Sequence, residues 1–240
     1  MELDAKPSLP PGRAYVAAPW HTATVLIALG YFSFRFALTK GNSGAALTST
    51  ASSRAAQLWH YAFLIASELT LALWVWAGIH WQGGHLQEIV GRRWRSWKCV
   101  ALDFGIALPF WLIWEATAWG VHRLVDPLHA PTSEYHVPSG FLEGSLWIFL
   151  SLTAGFCEEF VYRGYLQRQF QAATGSVIAA VALQGLVFGL GHSYQGWGQV
   201  IVISALGMLY GALVAWRGNL RASMMAHAWS DIFEGYVKFL

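Results

Sequence analysis

The sequence predicts an all-α fold, a polytopic bundle of about seven transmembrane helices, and three observations predict it. Hydrophobic residues make up 55% of the 240-residue chain and charged residues 12%, with a mean hydropathy of +0.40; a soluble domain carries about 25% charge. Apolar runs of about 20 residues, the length that crosses a bilayer as a helix, recur along the chain. Fourteen Trp and nine Tyr suit the aromatic belts of two membrane interfaces. The net charge of +2 is too small to point to nucleic acid.

Residues 1–19 contain Pro7, Pro10 and Pro11 and lack an apolar core, so they read as a cytosolic arm rather than a cleaved signal. Residues 20–240 read as one transmembrane helical domain without internal repeats. Its expected helices are His21–Leu38, Leu58–Trp81, Cys99–Val121, Phe141–Phe170, Ser176–His192, Gln199–Trp216 and Ser223–Phe239. The fourth is longer than a span needs, and its last turns around Gln167, Arg168 and Gln169 are expected to reach water. Thr39–Gln57 and Asp126–Gly140 read as loops, and Ala173–Ser176 and Gly218–Asn219 as tight turns.

Gly84–Lys98 holds Arg92, Arg93, Arg95 and Lys98 interleaved with Trp94 and Trp97, the composition of a basic interfacial stretch. Taken as cytoplasmic, it puts Lys6, Arg13, Arg168, Arg217 and Arg221 on the same side, opposite Lys40, Arg54 and Arg123. The expectation is an integral protein of a bacterial plasma membrane with its N-terminus inside. Gly185 and Gly189, like Gly207 and Gly211, have the spacing that lets helices approach closely. Cys99 and Cys157 read as small buried hydrophobes, with neither disulfide nor zinc spacing.

Three polar constellations interrupt the apolar helices. The first is Glu158-Glu159-Phe160-Val161-Tyr162-Arg163. Ionisable groups at membrane depth cost at least about 2.5–3.5 kcal/mol each, so three within six residues call for a use. Glu159 and Arg163 share a helical face and can pair, while Glu158 points about 100° away and is left without an arginine, as a general base requires. A charge cluster that locks helices together is the alternative. The second is Phe188-Gly189-Leu190-Gly191-His192, whose glycines make room for helix packing or for a backbone substrate. The third is His227-Ala228-Trp229-Ser230-Asp231, where the His and Asp lie on one face and the carboxylate can fix the ring. Depths measured from the nearest loop basic residues differ between the three, so convergence requires helix tilt or a low start to the fifth helix. Glu68 and Glu115 read as structural or as cavity-lining acids; Arg35 and Glu143 lie close enough to segment ends to snorkel.

In order, helical placement and separations of about 34 residues, these motifs resemble the CPBP family of intramembrane proteases, also called the CAAX-protease or Abi family. The family pattern is Glu-Glu-x-x-x-Arg, Phe-x-x-x-His and His-x-x-x-Asn or Asp. The resemblance covers about Ser145 to Asp231, within a protease-like core at 141–240. It implies an intramembrane endopeptidase in which Glu158 and His192 activate a water, Glu159 and Arg163 support them, and His227 and Asp231 stabilise the oxyanion. Asp231 stands where the prenyl-protein-processing members have Asn. An ionised Asp cannot donate a hydrogen bond, so it must be protonated here or must orient His227 instead.

The residues themselves carry the same chemistry. Peptide hydrolysis needs an activated water, a proton for the leaving amine and charge stabilisation, and one glutamate with two histidines supplies all three. Metal-free glutamate catalysis is favoured; a divalent metal such as zinc, held by Glu158, His192 and His227, is the other reading. The expected partners are membrane lipid and a membrane-associated protein or peptide substrate, lipidated or not, with no nucleic acid. The competing functions are a non-catalytic membrane immunity or scaffold protein of the same fold and a small ion-coupled transporter.

Overall fold

The structure, a computed structural model, describes residues 15–43, 54–125, 138 and 140–236. Most of the expected N-terminal arm, much of the two expected polar loops and the last residues of the seventh expected helix lie outside the described residues. So do the side chains of Arg35, Lys40 and Arg54.

All regular structure among the described residues is helical. The order is α1 (Pro19–Ser43), α2 (Arg54–Trp81), α3 (Leu86–Val90), α4 (Trp97–Val125), α5 (Gly140–Glu158), a π-helical stretch (Glu159–Leu166), α6 (Gln167–Thr174), α7 (Val177–Gly191), a 3₁₀ turn (Ser193–Gln195), α8 (Trp197–Arg217) and α9 (Arg221–Tyr236). Among the described residues, four runs are long and apolar enough to cross a bilayer: Gln57–Trp81, Trp97–Val125, Gly140–Thr174 and Trp197–Arg217. Large apolar side chains such as Ile27, Leu73, Leu124, Phe141 and Ile178 point outwards, as lipid-facing residues do. The chain is an integral membrane protein built as an α-helical bundle.

Each of the seven expected helices has a counterpart, and length and hydropathy over the described residues qualify four of them as spans. α7 has 15 residues because Ser176 caps its start, accepting from Ala179 N, and Gly191-His192 ends it. α9 has 16 residues and spends part of its hydropathy on Ser223, His227, Ser230 and Asp231.

The fourth expected helix is one 35-residue run that changes its hydrogen bonding midway. Gln167 and Gln169, expected to reach water, are buried instead, while the last turn at Gln171, Ala173 and Thr174 is exposed. Gln167 and Gln169 are 5% and 3% exposed, Gln167 because it packs on Gly211 of α8 and Gln169 because the chain at the start of α1 covers it. Gln169 Oε1 accepts from Val16 N at 2.8 Å, and Gln169 Nε2 donates to Ala17 O at 2.9 Å and Thr22 Oγ1 at 2.6 Å. Glu143, expected to snorkel, is buried instead. The run extends to Thr174 and turns at Gly175, whose φ of 69° suits glycine. Glu158 and His192 therefore stand equally far from that turn along neighbouring arms. This removes the depth mismatch between Glu158 and His192, which came from measuring Glu158 from Arg168 rather than from the end of the helix.

Small residues set the close approaches. A Cβ on Gly185 would meet Met208 and Ser204 of α8, and one on Gly155 would meet the Ala228 backbone N of α9 at 2.7 Å. Gly207 and Gly211 do more than pack. Their buried carbonyls accept from Gln184 Nε2 at 2.8 Å and Gln167 Nε2 at 3.1 Å, which pairs the NH2 groups of two buried amides in an apolar setting.

Candidate active site

The first motif straddles the change of helix type. Glu158 ends α5, and Glu159 to Arg163 lie in the π-helical stretch, a geometry that recurs at functional sites because i→i+5 bonding widens the turn. Glu159 and Arg163 are fully buried and form an ion pair at 3.0 Å. The guanidinium is packed between rings, 4.2 Å from the Phe188 centroid and 5.0 Å from that of Tyr210. Arg163 Nη2 also donates to Gly207 O at 3.4 Å. Glu158 faces the other way, 21% exposed, and among the described residues no arginine or lysine pairs with it.

α9 brings in the third motif. His227 Nδ1 lies 2.9 Å from Glu159 Oε1. A carboxylate accepts, so Nδ1 carries the proton and Nε2 faces the acids opposite. Nε2 lies 3.6 Å from Glu158 Oε2 and 3.9 Å from Asp231 Oδ2. The ring stacks on Tyr210, with centroids 5.0 Å apart and planes 21° apart. The carboxylate that orients His227 most tightly is thus Glu159, from another helix; Asp231 stands on the Nε2 side.

The second motif supplies the far wall. His192 Nδ1 lies 2.9 Å from Phe188 O, a carbonyl left free by the end of α7. A carbonyl only accepts, so Nδ1–H donates and Nε2 of the neutral ring keeps its lone pair. Phe188 meets Tyr162, His192 and His227 edge-on at 4.9, 4.9 and 6.1 Å. It is the shared wall of all three motifs.

Glu158, His192, His227 and Asp231 line one cavity of about 530 Å³, while Glu159 and Arg163 lie behind it. Glu68 of α2 lines it too, with Oε2 buried and, among the described residues, without a hydrogen-bond partner. An acid in mid-span was the sequence signal for that role. Tyr210, by contrast, stood in an apolar run with nothing to mark it. Among the described residues, no three His, Cys, Asp or Glu side chains stand together as a metal-holding set.

Fold and site together define a polytopic α-helical membrane protein with an acid- and histidine-lined internal cavity. Residues 141–233 are similar to the family described as Rce1-like, type II CAAX prenyl endopeptidase Rce1-like. That stretch runs from α5 into α9 and contains all six motif residues. The chain is also 34% identical over 94 residues to the uncharacterized protein YpbD of Bacillus subtilis (strain 168), a match covering 38% of this chain and 46% of YpbD. It therefore spans about half the length of that curated relative. No solved structure matches.

Proposed function

We propose that the protein is an intramembrane endopeptidase that hydrolyses a peptide bond of a membrane-associated protein or peptide by glutamate-activated water. The observation that carries this reading is the position of Glu158 Oε2, 3.6 Å from His227 Nε2 in the wall of a cavity that also holds His192. That gap is too long for a direct hydrogen bond, and both groups face the same cavity, where one water can contact the two together.

In this reading Glu158 takes a proton from the water as its oxygen bonds to the scissile carbonyl carbon. The carbonyl electron pair moves onto oxygen, where His227 Nε2, carrying a proton, and a neutral Asp231 donate to it. His192 Nε2 accepts the water's second hydrogen and orients its lone pair. As the tetrahedral species collapses, the C–N bond breaks and the proton held by Glu158 passes to the amine. Glu159 and Arg163 do not touch the substrate; they hold His227.

The test uses protein reconstituted in liposomes with a set of membrane-anchored peptides, products being identified by mass spectrometry. Glu158→Gln is expected to lower turnover at least about 100-fold, from typical general-base contributions, with an unchanged melting temperature. Wild-type-like cleavage by that variant removes Glu158 from the mechanism. Absence of cleavage by the wild type across the set favours the scaffold reading.

A further inference from the structure

The segment between α3 and α4 carries Arg92, Arg93, Arg95 and Lys98, four cations within seven positions and no acid among them. All four side chains are exposed, and among the described residues none has an ion-pair partner. Trp94 and Trp97 between them are 44% and 74% exposed.

The nearby acids are already committed. Asp103 is fully buried and held by Arg217 at 2.7 Å and Arg221 at 2.8 Å. Glu88 Oε2 accepts from His85 N at 3.2 Å.

The backbone of this strip is fixed although its side chains are free. Ile89 O accepts from Arg168 Nη2 at 3.4 Å, and Val90 O from Leu220 N at 3.0 Å. Arg92 O accepts from Arg221 Nη1 at 2.8 Å, and Trp94 Nε1 donates to Asp103 Oδ2 at 2.8 Å. Two of these four ties lead to Leu220 and Arg221, the entry to α9. His227 lies six residues further on.

We propose that Arg92, Arg93, Arg95 and Lys98 form a binding site for anionic lipid headgroups, and that headgroup binding stiffens the start of the helix that carries His227. Four unneutralised cations on an ordered backbone offer the charge that lipid phosphates seek, at about one favourable contact per cation. Trp94 and Trp97 are the side chains that settle at headgroup depth. Val100 and Leu102 just beyond, 37% and 45% exposed, continue into the apolar surface of α4 and suit acyl chains. A partner with an anionic head and an apolar body fits both parts. This inference is independent of the proposed chemistry.

The experiment compares full-length protein in nanodiscs of phosphatidylcholine alone and with 30% phosphatidylglycerol, against the variant Arg92→Gln/Arg93→Gln/Arg95→Gln/Lys98→Gln. The substituted side chains are exposed and unpaired, so the variant should fold. The wild type is expected to melt about 4 °C or more higher with phosphatidylglycerol, and the variant to respond by less than about 1 °C. Amide exchange over 221–227 should slow at least about threefold in the wild type only. Equal responses in the two proteins, or none in either, would overturn the proposal. So would a full response to inorganic phosphate, or to an acidic peptide, in phosphatidylcholine alone. A melting shift without slower exchange at 221–227 would overturn the link to α9.

Discussion

The Arg163 guanidinium carbon stands 4.2 Å from the centroid of the Phe188 ring, so the arginine of the first motif and the phenylalanine of the second are one contact. The same arginine pairs with Glu159, which holds His227. The chain Phe188–Arg163–Glu159–His227 links three helical segments in the dry interior. Arg163→Ala leaves Glu159 buried without its cation, and breaking such a pair costs about 3–5 kcal/mol. The expected outcome is a large drop in detergent melting temperature together with lost activity. A double-mutant cycle with Phe188→Leu should give a coupling of about 0.5–2 kcal/mol. An unchanged melting temperature in Arg163→Ala would contradict the burial of the pair.

Asp231 separates two chemistries. If it donates as a neutral acid towards the oxyanion, Asn retains a donor and Ala does not. Asp231→Asn is expected to keep substantial turnover and Asp231→Ala to lose at least about 10-fold, as one lost donor of this kind does. Chelator treatment of both proteins is the accompanying measurement. Chelator-sensitive wild-type activity restored by zinc would replace the mechanism with one in which Glu158, His192 and His227 are ligands.

Glu68 shows what the cavity costs. Its Oε2 is buried with no hydrogen-bond partner among the described residues, an arrangement that carries a penalty of about 1–3 kcal/mol. Glu68→Leu is therefore expected to raise the melting temperature by a few degrees while lowering peptide turnover, the pattern of a residue kept for use rather than for stability. A destabilised Glu68→Leu would make the acid structural.

Gly155 fixes the distance between α5 and α9. A Cβ there would lie 2.7 Å from Ala228 N and 2.8 Å from Ala228 Cβ, in front of backbone that has nowhere to go. Gly155→Val should cost about 1–3 kcal/mol and pull His227 away from Glu158 and Glu159. Thermal unfolding and turnover are expected to fall together. Wild-type values for both would mean that the two helices separate freely.

The three motifs were legible because ionisable residues are rare in apolar runs, so Glu158, Glu159, Arg163, His192, His227 and Asp231 stood out singly. Helical spacing gave the Glu159–Arg163 pair, since both lie on one segment. It did not give the Glu159–His227 contact, which depends on how α9 packs against α5 and the π-helical turn, a matter of small residues such as Gly155 and Ala228. Asp231, a neighbour of His227 in sequence, looked like its holder; the tighter hold comes from 68 residues away. Tyr210 was invisible because a buried tyrosine in an apolar helix reads as packing until a ring and a guanidinium are found against it. The burial of Gln169 depended on the segment before α1, whose fold no local pattern encodes.

The π-helical turn also separates two registers. In an uninterrupted α-helix each residue advances about 100°, so the orientation of Glu158 would dictate that of every residue down to Gln169. The i→i+5 turn at 159–166 acts like one extra residue slipped into the spiral. The half above it presents Ser151, Ala154 and Glu158 to the cavity, while the half below presents Gln167 to Gly211 and Gln169 to Ala17. The two halves are clocked separately, so the lower grip can drift in sequence without rotating the acid above it. Losing a single residue between them would turn one half against the other like a slipped gear.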